Sequence, residues 1–509
     1  MTKIVGIDLG TTFSAIAELD DLGNPEVLSD PESGNRITRS AVYFGKDKVI
    51  VGEKARDASV TNPKKVVFEV KREMENEVVY SLSNGEFKED DGKVKGYTPS
   101  QISSLILSKL KDYTSGVKKA VITVPALFAE RARSATLEAA KLSKLEVELI
   151  NEPTAAVLHY SNLPGISING RVLIFDLGGG TFDITIAAVK GKKVDVITSV
   201  GDKELGGQDF DREILNLIDN KYKKLKGKSI DVKDRSFFGV AEKIKKLLST
   251  KDKVSEIIEG PKGPVKIDIS RKEFENSVDT YLEKIKMLME EALDRAELKA
   301  SNINQTLLVG GSTRIPIVTE IIKKIMKKAP IKGVNVDEAV ACGAAIYAGI
   351  QNKSSLNSAQ KKAVSKVELN DVCNFYMGTL MATKDQERNQ WLMVNDIVIP
   401  RDTKLPCSIT KNYMVLHDDQ KEIDCSVTQS EGEERDKEFV HIIAKEPLKL
   451  SNKAKEGDPI KVTYSYDLNG SMHCIFEEVK SKKKQELNLK PGTSKDLKEL
   501  RENLDFDIE

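Results

Sequence analysis

Ile7-Asp-Leu-Gly-Thr-Thr12 and Phe175-Asp-Leu-Gly-Gly-Gly-Thr181 decide the fold class of this 509-residue chain. Each completes a short apolar run of strand character, Ile4 to Ile7 and Val172 to Phe175, and each sets an aspartate at the strand end before glycine and threonine. The aspartates, Asp8 and Asp176, lie 168 positions apart, so the chain carries an internal repeat. At Gly10, Gly178, Gly179 and Gly180 the missing side chains let backbone N–H groups approach an anion closely, and the hydroxyls of Thr11, Thr12 and Thr181 add donors. One such loop is an ordinary strand-to-helix turn. A matched pair can grip one polyphosphate from opposite sides. Two bare carboxylates would repel that anion, so Asp8 and Asp176 imply a divalent cation between them, and magnesium held largely through water fits best.

A third glycine turn, Val309-Gly-Gly-Ser-Thr-Arg-Ile-Pro316, also leaves a strand and enters a helix, where proline suits the first turn. It brings Gly310, Gly311 and Ser312 into consideration. Ala120 to Val124 and Thr306 to Val309 are further buried strands, and strands alternate with helical patterns through residues 1–352, as in an α/β domain. Residues 353–372, rich in Ser, Lys and Asn, read as an exposed linker. Residues 373–480 show period-two segments such as Ile423-Asp-Cys-Ser-Val427 and Ile460-Lys-Val-Thr-Tyr-Ser-Tyr466, the latter followed by the turn Asp467-Leu-Asn-Gly470, and predict an all-β sandwich domain. Residues 481–509 form a short tail with room for at most one helix, Ser494 to Leu504.

Composition narrows the function. Lys and Arg total 79, as do Asp and Glu, so no net field draws the chain to nucleic acid or to an anionic membrane. No stretch is long enough to span a bilayer and the N-terminus has no signal-peptide core, so a cytoplasmic protein is expected. Five cysteines without a CxxC pair, beside four histidines, predict buried reduced thiols rather than a zinc cage.

The three glycine turns resemble the phosphate and adenosine motifs of the DnaK-type seventy-kilodalton heat-shock chaperones, within the actin and hexokinase superfamily. Val66-Val-Phe-Glu-Val-Lys-Arg72, Val121-Ile-Thr-Val-Pro-Ala126, Asn151-Glu-Pro-Thr-Ala-Ala156 and Leu205-Gly-Gly-Gln-Asp-Phe-Asp211 are similar to that family rather than to actin or sugar kinases. The resemblance implies an α/β actin-like two-lobed ATPase domain followed by an all-β sandwich domain. It implies ATP or ADP with Mg2+, and K+, as cofactors, and hydrolysis by positioning and charge neutralisation. On this resemblance Lys71 is the catalytic lysine beside the γ-phosphate, with Glu152, Asp176 and Thr181 arranging water and metal. Phe13 and Asp337 join the nucleotide site. The helix Glu242-Lys-Ile-Lys-Lys-Leu-Leu-Ser249 matches the adenosine pattern, its spacing putting Glu242, Lys245 and Ser249 on one face, and Arg314 closes the other side of the base.

The later segments, Ile399-Pro-Arg-Asp-Thr-Lys-Leu-Pro406 and Asp418-Asp-Gln420, are similar to the family's peptide-binding sandwich. Tyr413, Leu416, Ile423 and Cys425 then fall where the family lines its groove for an extended apolar peptide; plain sandwich core is the other reading of these four. Pro125 and Arg133 match its allosteric relay. Expected partners are unfolded clients, a J-domain cochaperone and a nucleotide exchange factor. Three features depart from the family. Val367-Glu-Leu-Asn-Asp-Val372 has half the apolar content of the usual leucine-rich linker, so docking by linker burial should be weaker. Glu148 stands where the family carries the arginine that engages J-domains, which predicts a dedicated partner. No helical lid follows the sandwich. A slow ATP-binding adaptor and an actin-like small-molecule kinase are the alternative functions.

Overall fold

The computed structural model describes residues 3–508 apart from 46–47, 77–79, 82–87, 90–95, 233, 332, 366, 386–389, 419, 468–469 and 490–506. Residues 1–352 form mixed α/β structure around two large sheets. In the first, Lys3–Asp8 pairs in parallel with Val117–Val124 and antiparallel with Phe13–Leu19. In the second, Gly170–Leu177 pairs in parallel with Gln305–Val309 and antiparallel with Phe182–Lys190. The sequence repeat is thus a structural repeat. In both copies the residues leading to the aspartate, Val5 to Ile7 and Val172 to Phe175, are buried, and the chain turns back through glycine just beyond it.

Two helices, Glu152–Asn162 and Ala339–Gln351, join the sheets through one apolar cluster that includes Val121, Ala155, Ile174, Leu307 and Ala344. Their close approach depends on small residues. A Cβ at Gly343 would overlap the Ala155 carbonyl, and one at Gly6 would overlap the Ala344–Ala345 backbone. Proline in the first turn of Glu152–Asn162 and of Pro316–Met326 suits positions whose N–H has no helical partner.

The stretch 353–372 is largely exposed, as its composition suggested, but it carries regular structure. Asn357 and Gln360 form a capping box that starts the helix Ser358–Val364, and Gln360 Nε2 donates to the Leu19 and Asp20 carbonyls. Glu368–Asn370 then adds a parallel strand beside Lys193–Asp202. Val364, Val367 and Val372 are buried, so valines supply the apolar contact that leucines were missed for.

Beyond it lie two four-stranded antiparallel sheets. One orders Gln390–Ile399, Tyr376–Asp385, Glu422–Ser430 and His441–Lys449; the other Cys407–Met414, Pro459–Tyr466, Met472–Glu478 and Lys483–Leu489. They share a core that includes Phe375, Met377, Val427, Tyr464, Cys474 and Phe476. The run Lys480–Lys484 does not begin a tail at residue 481: it turns into the edge strand Lys483–Leu489, and lysines on an edge discourage pairing with other chains. The helix expected over 494–504, and parts of the motifs at 418–420 and 467–470, lie outside the described residues.

Candidate functional site

The backbone brings the three glycine turns to one point. A Cβ on Gly179 would overlap the Thr12 hydroxyl, one on Gly180 would meet Thr11, and one on Gly310 would overlap the Leu177 carbonyl. The Ser312 hydroxyl donates to the Gly178 carbonyl at 2.9 Å, tying the third turn to the second. Together they line a cavity of about 90 Å³ whose remaining walls include Asp8, Phe13, Lys71, Glu152, Asp176, Thr181 and Asp337.

Lys71 enters from the short turn Val70–Glu73 and ion-pairs with Glu152 at the start of its helix; both side chains are buried. Burial acts against the Lys71 charge, but Glu152 and Asp8 more than offset it, so its pKa is raised and it stays cationic. The carboxyl of Asp8 is pushed up to about 7 by burial and by Glu152, against Lys71 and a 2.9 Å hydrogen bond from Thr123 Oγ1. Asp176 is raised well above the carboxylate range by burial and by Glu152. The site therefore gathers more carboxyl groups than Lys71 can hold as anions, and burial together with their mutual repulsion favours the protonated forms of Asp8 and Asp176. Among the described residues no three potential ligands converge into a ready-made metal cage.

Asp183 was missed by sequence reasoning. It stands directly across the hairpin from Asp176, is fully buried, and is pushed up to about 8 by burial and by Glu152. Its signal was an acidic residue inside the apolar run Phe182-Asp-Ile-Thr-Ile186. Arg72 was also passed over: its guanidinium donates to the Gly180 carbonyl at 2.7 Å and pairs with Asp209 at 2.6 Å, bracing the second glycine turn.

The residues matched to the adenosine pattern lie on Phe238–Leu248 and its C-cap, Ser249, but they do not form one open face. Lys245 Nζ donates to the Gly207 carbonyl at 2.6 Å and pairs with Asp211 at 2.8 Å; Asp211 is pushed up to about 6 by burial, with Lys245 partly offsetting. Glu242 pairs with Arg39 at 2.6 Å and Lys246 at 2.8 Å. Although burial opposes ionisation, those cations hold its carboxyl down at about 2. Arg39, which no motif marked, also lies 4.4 Å over the Phe13 ring. It reaches Glu242 across a second cavity of about 240 Å³ lined by Thr11, Thr12, Gln208 and Asp211. Arg314 is exposed and pairs with Asp337 at 2.6 Å. Ser249 lines neither cavity.

Arg133 sits where the first part meets the second, and Pro125 is the buried neighbour of Ala126, whose carbonyl lies at the same junction. Arg133 Nη2 donates to Asn151 Oδ1 at 2.6 Å, and Asn151 Nδ2 donates to Asp371 at 3.1 Å, so one chain of hydrogen bonds runs into the stretch preceding the sandwich. Across the same junction Asn374 donates to the Ala126 carbonyl, the Glu130 N–H to Gln429, and Arg401 to the Ser199 carbonyl.

The four groove residues separate. Cys425 is fully buried in the sandwich core, because its strand alternation points it between the sheets. Tyr413 and Ile423 pack half-buried against that core, and the Tyr413 hydroxyl donates to Asp396 at 2.7 Å. Leu416 is half-buried outside it. The large apolar side chains exposed on this domain include Trp391, Leu392, Met393 and Met414.

Against known families, the model described as Hsp70 protein matches residues 4–504.

Proposed function

The chain belongs to the Hsp70 family, and from that premise we propose an ATP-driven chaperone whose first part, an actin-like two-lobed ATPase, governs how its sandwich holds extended apolar peptide. Members of the family are ATPases that use ATP or ADP with Mg2+, bind unfolded clients and work with J-domain cochaperones.

One observation carries the reading: a buried lysine-glutamate pair lines the same cavity as Asp8 and Asp176, where three glycine turns meet. Lys71 faces the γ-phosphate and meets the charge that develops during transfer. Glu152, Asp176 and Thr181 orient the attacking water, and the glycine turns offer N–H groups to the phosphates. Magnesium, held through water by Asp8 and Asp176, would neutralise phosphate charge. Potassium is the second cation we assign to this acid-rich site. Glu242, Lys245, Ser249 and Arg314 hold the adenosine once Arg39 yields Glu242.

Leu416 and Ile423 line the client surface together with the exposed Trp391 to Met393, which extended peptide can cover. Pro125 and the Arg133–Asn151–Asp371 chain couple nucleotide state to peptide affinity in both directions. Glu148, half-buried on Glu146–Asn151 with its pKa raised by burial, favours a dedicated J-domain partner bearing a compensating basic residue. A nucleotide exchange factor completes the cycle. Work in the cytosol agrees with the five unpaired cysteines, and no helix among the described residues is long and apolar enough to cross a membrane.

The test is ATP turnover by the full chain with and without an apolar peptide and candidate J-proteins. Stimulation by peptide and by one J-protein is expected. Consumption of ATP that depends on a metabolite would make the protein a kinase, and binding without turnover would make it an adaptor. Strong stimulation by a general housekeeping J-protein would overturn the dedicated partnership.

A further inference from the structure

The strand Lys48–Val51 would be the outer strand of a small sheet if only its own lobe were present. It pairs inward with Ala41–Phe44, which pairs with Val66–Phe68. Its outward edge is occupied by a distant part of the chain: Asp507 lies opposite Lys48 and Ile508 opposite Val49, in parallel. The Ile508 side chain packs against the apolar cluster that contains Val49, Val51, Leu105 and Ile106. Backbone pairing and apolar packing therefore place the same two residues at the same edge.

That sheet leads directly to the catalytic candidate, because Val66–Phe68 runs into the turn Val70–Glu73 that carries Lys71. The other end of the connection is equally fixed. Leu489 closes the last strand of the sandwich, and residues 490–506 join it to Asp507. Seventeen residues reach at most roughly 60 Å when extended, so one segment links the sandwich to the Lys71 sheet.

We propose that the Lys48–Val51 edge is a strand-accepting site whose occupant is the chain's own Asp507–Ile508 segment, and that this occupancy straps the sandwich to the sheet bearing Lys71. A bare sheet edge offers unpaired N–H and C=O groups. An added strand supplies main-chain hydrogen bonds while one side chain supplies specificity, here Ile508. Two residues of pairing hold weakly alone, but the tether keeps their effective concentration high, so the strap closes within one molecule and releases readily. The inference rests on this pairing and not on the ATPase reading.

Hydrogen exchange and crosslinking on the full chain test it. In Ile508→Asp the amides of Lys48–Val51 should exchange about fivefold faster or more, while those of Lys3–Asp8 stay unchanged. In a Lys48→Cys, Asp507→Cys variant, oxidation should give a crosslink within one chain, migrating as a monomer without reductant. Unchanged exchange at Lys48–Val51, or crosslinks formed only between chains, would overturn the proposal. ATP turnover measured on the same samples reports separately on the ATPase reading.

Discussion

The cavity where the glycine turns meet and the sandwich surface differ in what their packing demands of the backbone. Around Asp8 and Asp176 the turns interlock so tightly that one methyl group at Gly179 or Gly310 has no room, and charged groups are buried against one another. On the sandwich, the residues expected to hold peptide grade into ordinary core: Cys425 is wholly inside, Tyr413 and Ile423 are halfway, and the exposed apolar side chains include Met414 beside Tyr413 and the run Trp391 to Met393 on another strand. A phosphate site is built from rare, costly features, whereas a peptide groove is built from the same side chains that fill any sandwich. The first can be tested by removing a charge, the second only by separating binding from stability.

The largest effect should follow from Lys71→Met, which lowers ATP turnover by about a hundredfold or more if a preorganised charge is lost. Near-normal turnover would erase the distinction between the two regions. Peptide affinity without nucleotide should be unchanged.

A smaller effect is expected at their junction. The Glu130 carboxyl is pushed up from 4.5 to about 8, by burial more than Arg133 offsets. Below the ordinary value both docked and separated states hold the proton. Between it and about 8 the docked state alone does, so rising pH across that window disfavours docking, and the penalty is complete above it. Glu130→Gln should flatten this dependence, as read from interdomain energy transfer between pH 5 and 8. An unaltered pH profile would remove Glu130 from the junction's control.

Within the sandwich, Cys425→Ala should cost about 1 kcal/mol of stability by leaving a small void, with peptide affinity falling only as far as folding does. Trp391→Ala should leave stability within about 0.5 kcal/mol yet weaken apolar peptide binding. Equal losses in both assays for both variants would dissolve the separation of core from client surface.

Legibility followed the same division. The aspartate-glycine repeat and the buried strands around it could be read because spacing and residue type are both constrained there, whereas Lys71 was singled out only by the family resemblance. Asp183 was readable in principle, as an acid inside an apolar strand. Arg39 was not, since its partner Glu242 lies 203 positions away in sequence and only folding brings them to 2.6 Å. Composition read residues 353–372 as exposed, which most of them are, but it gave no sign of the capping box and the three buried valines that pin the stretch. It also set the sandwich's end too early, because a lysine run suits a protected edge strand as well as a tail.

The most direct test of the account is the dissociation rate of a fluorescent apolar peptide from the full chain, measured with ATP and with ADP. Faster release with ATP, reciprocated by peptide-stimulated hydrolysis, is the predicted result. Equal release in both nucleotides would contradict the coupling of the two parts.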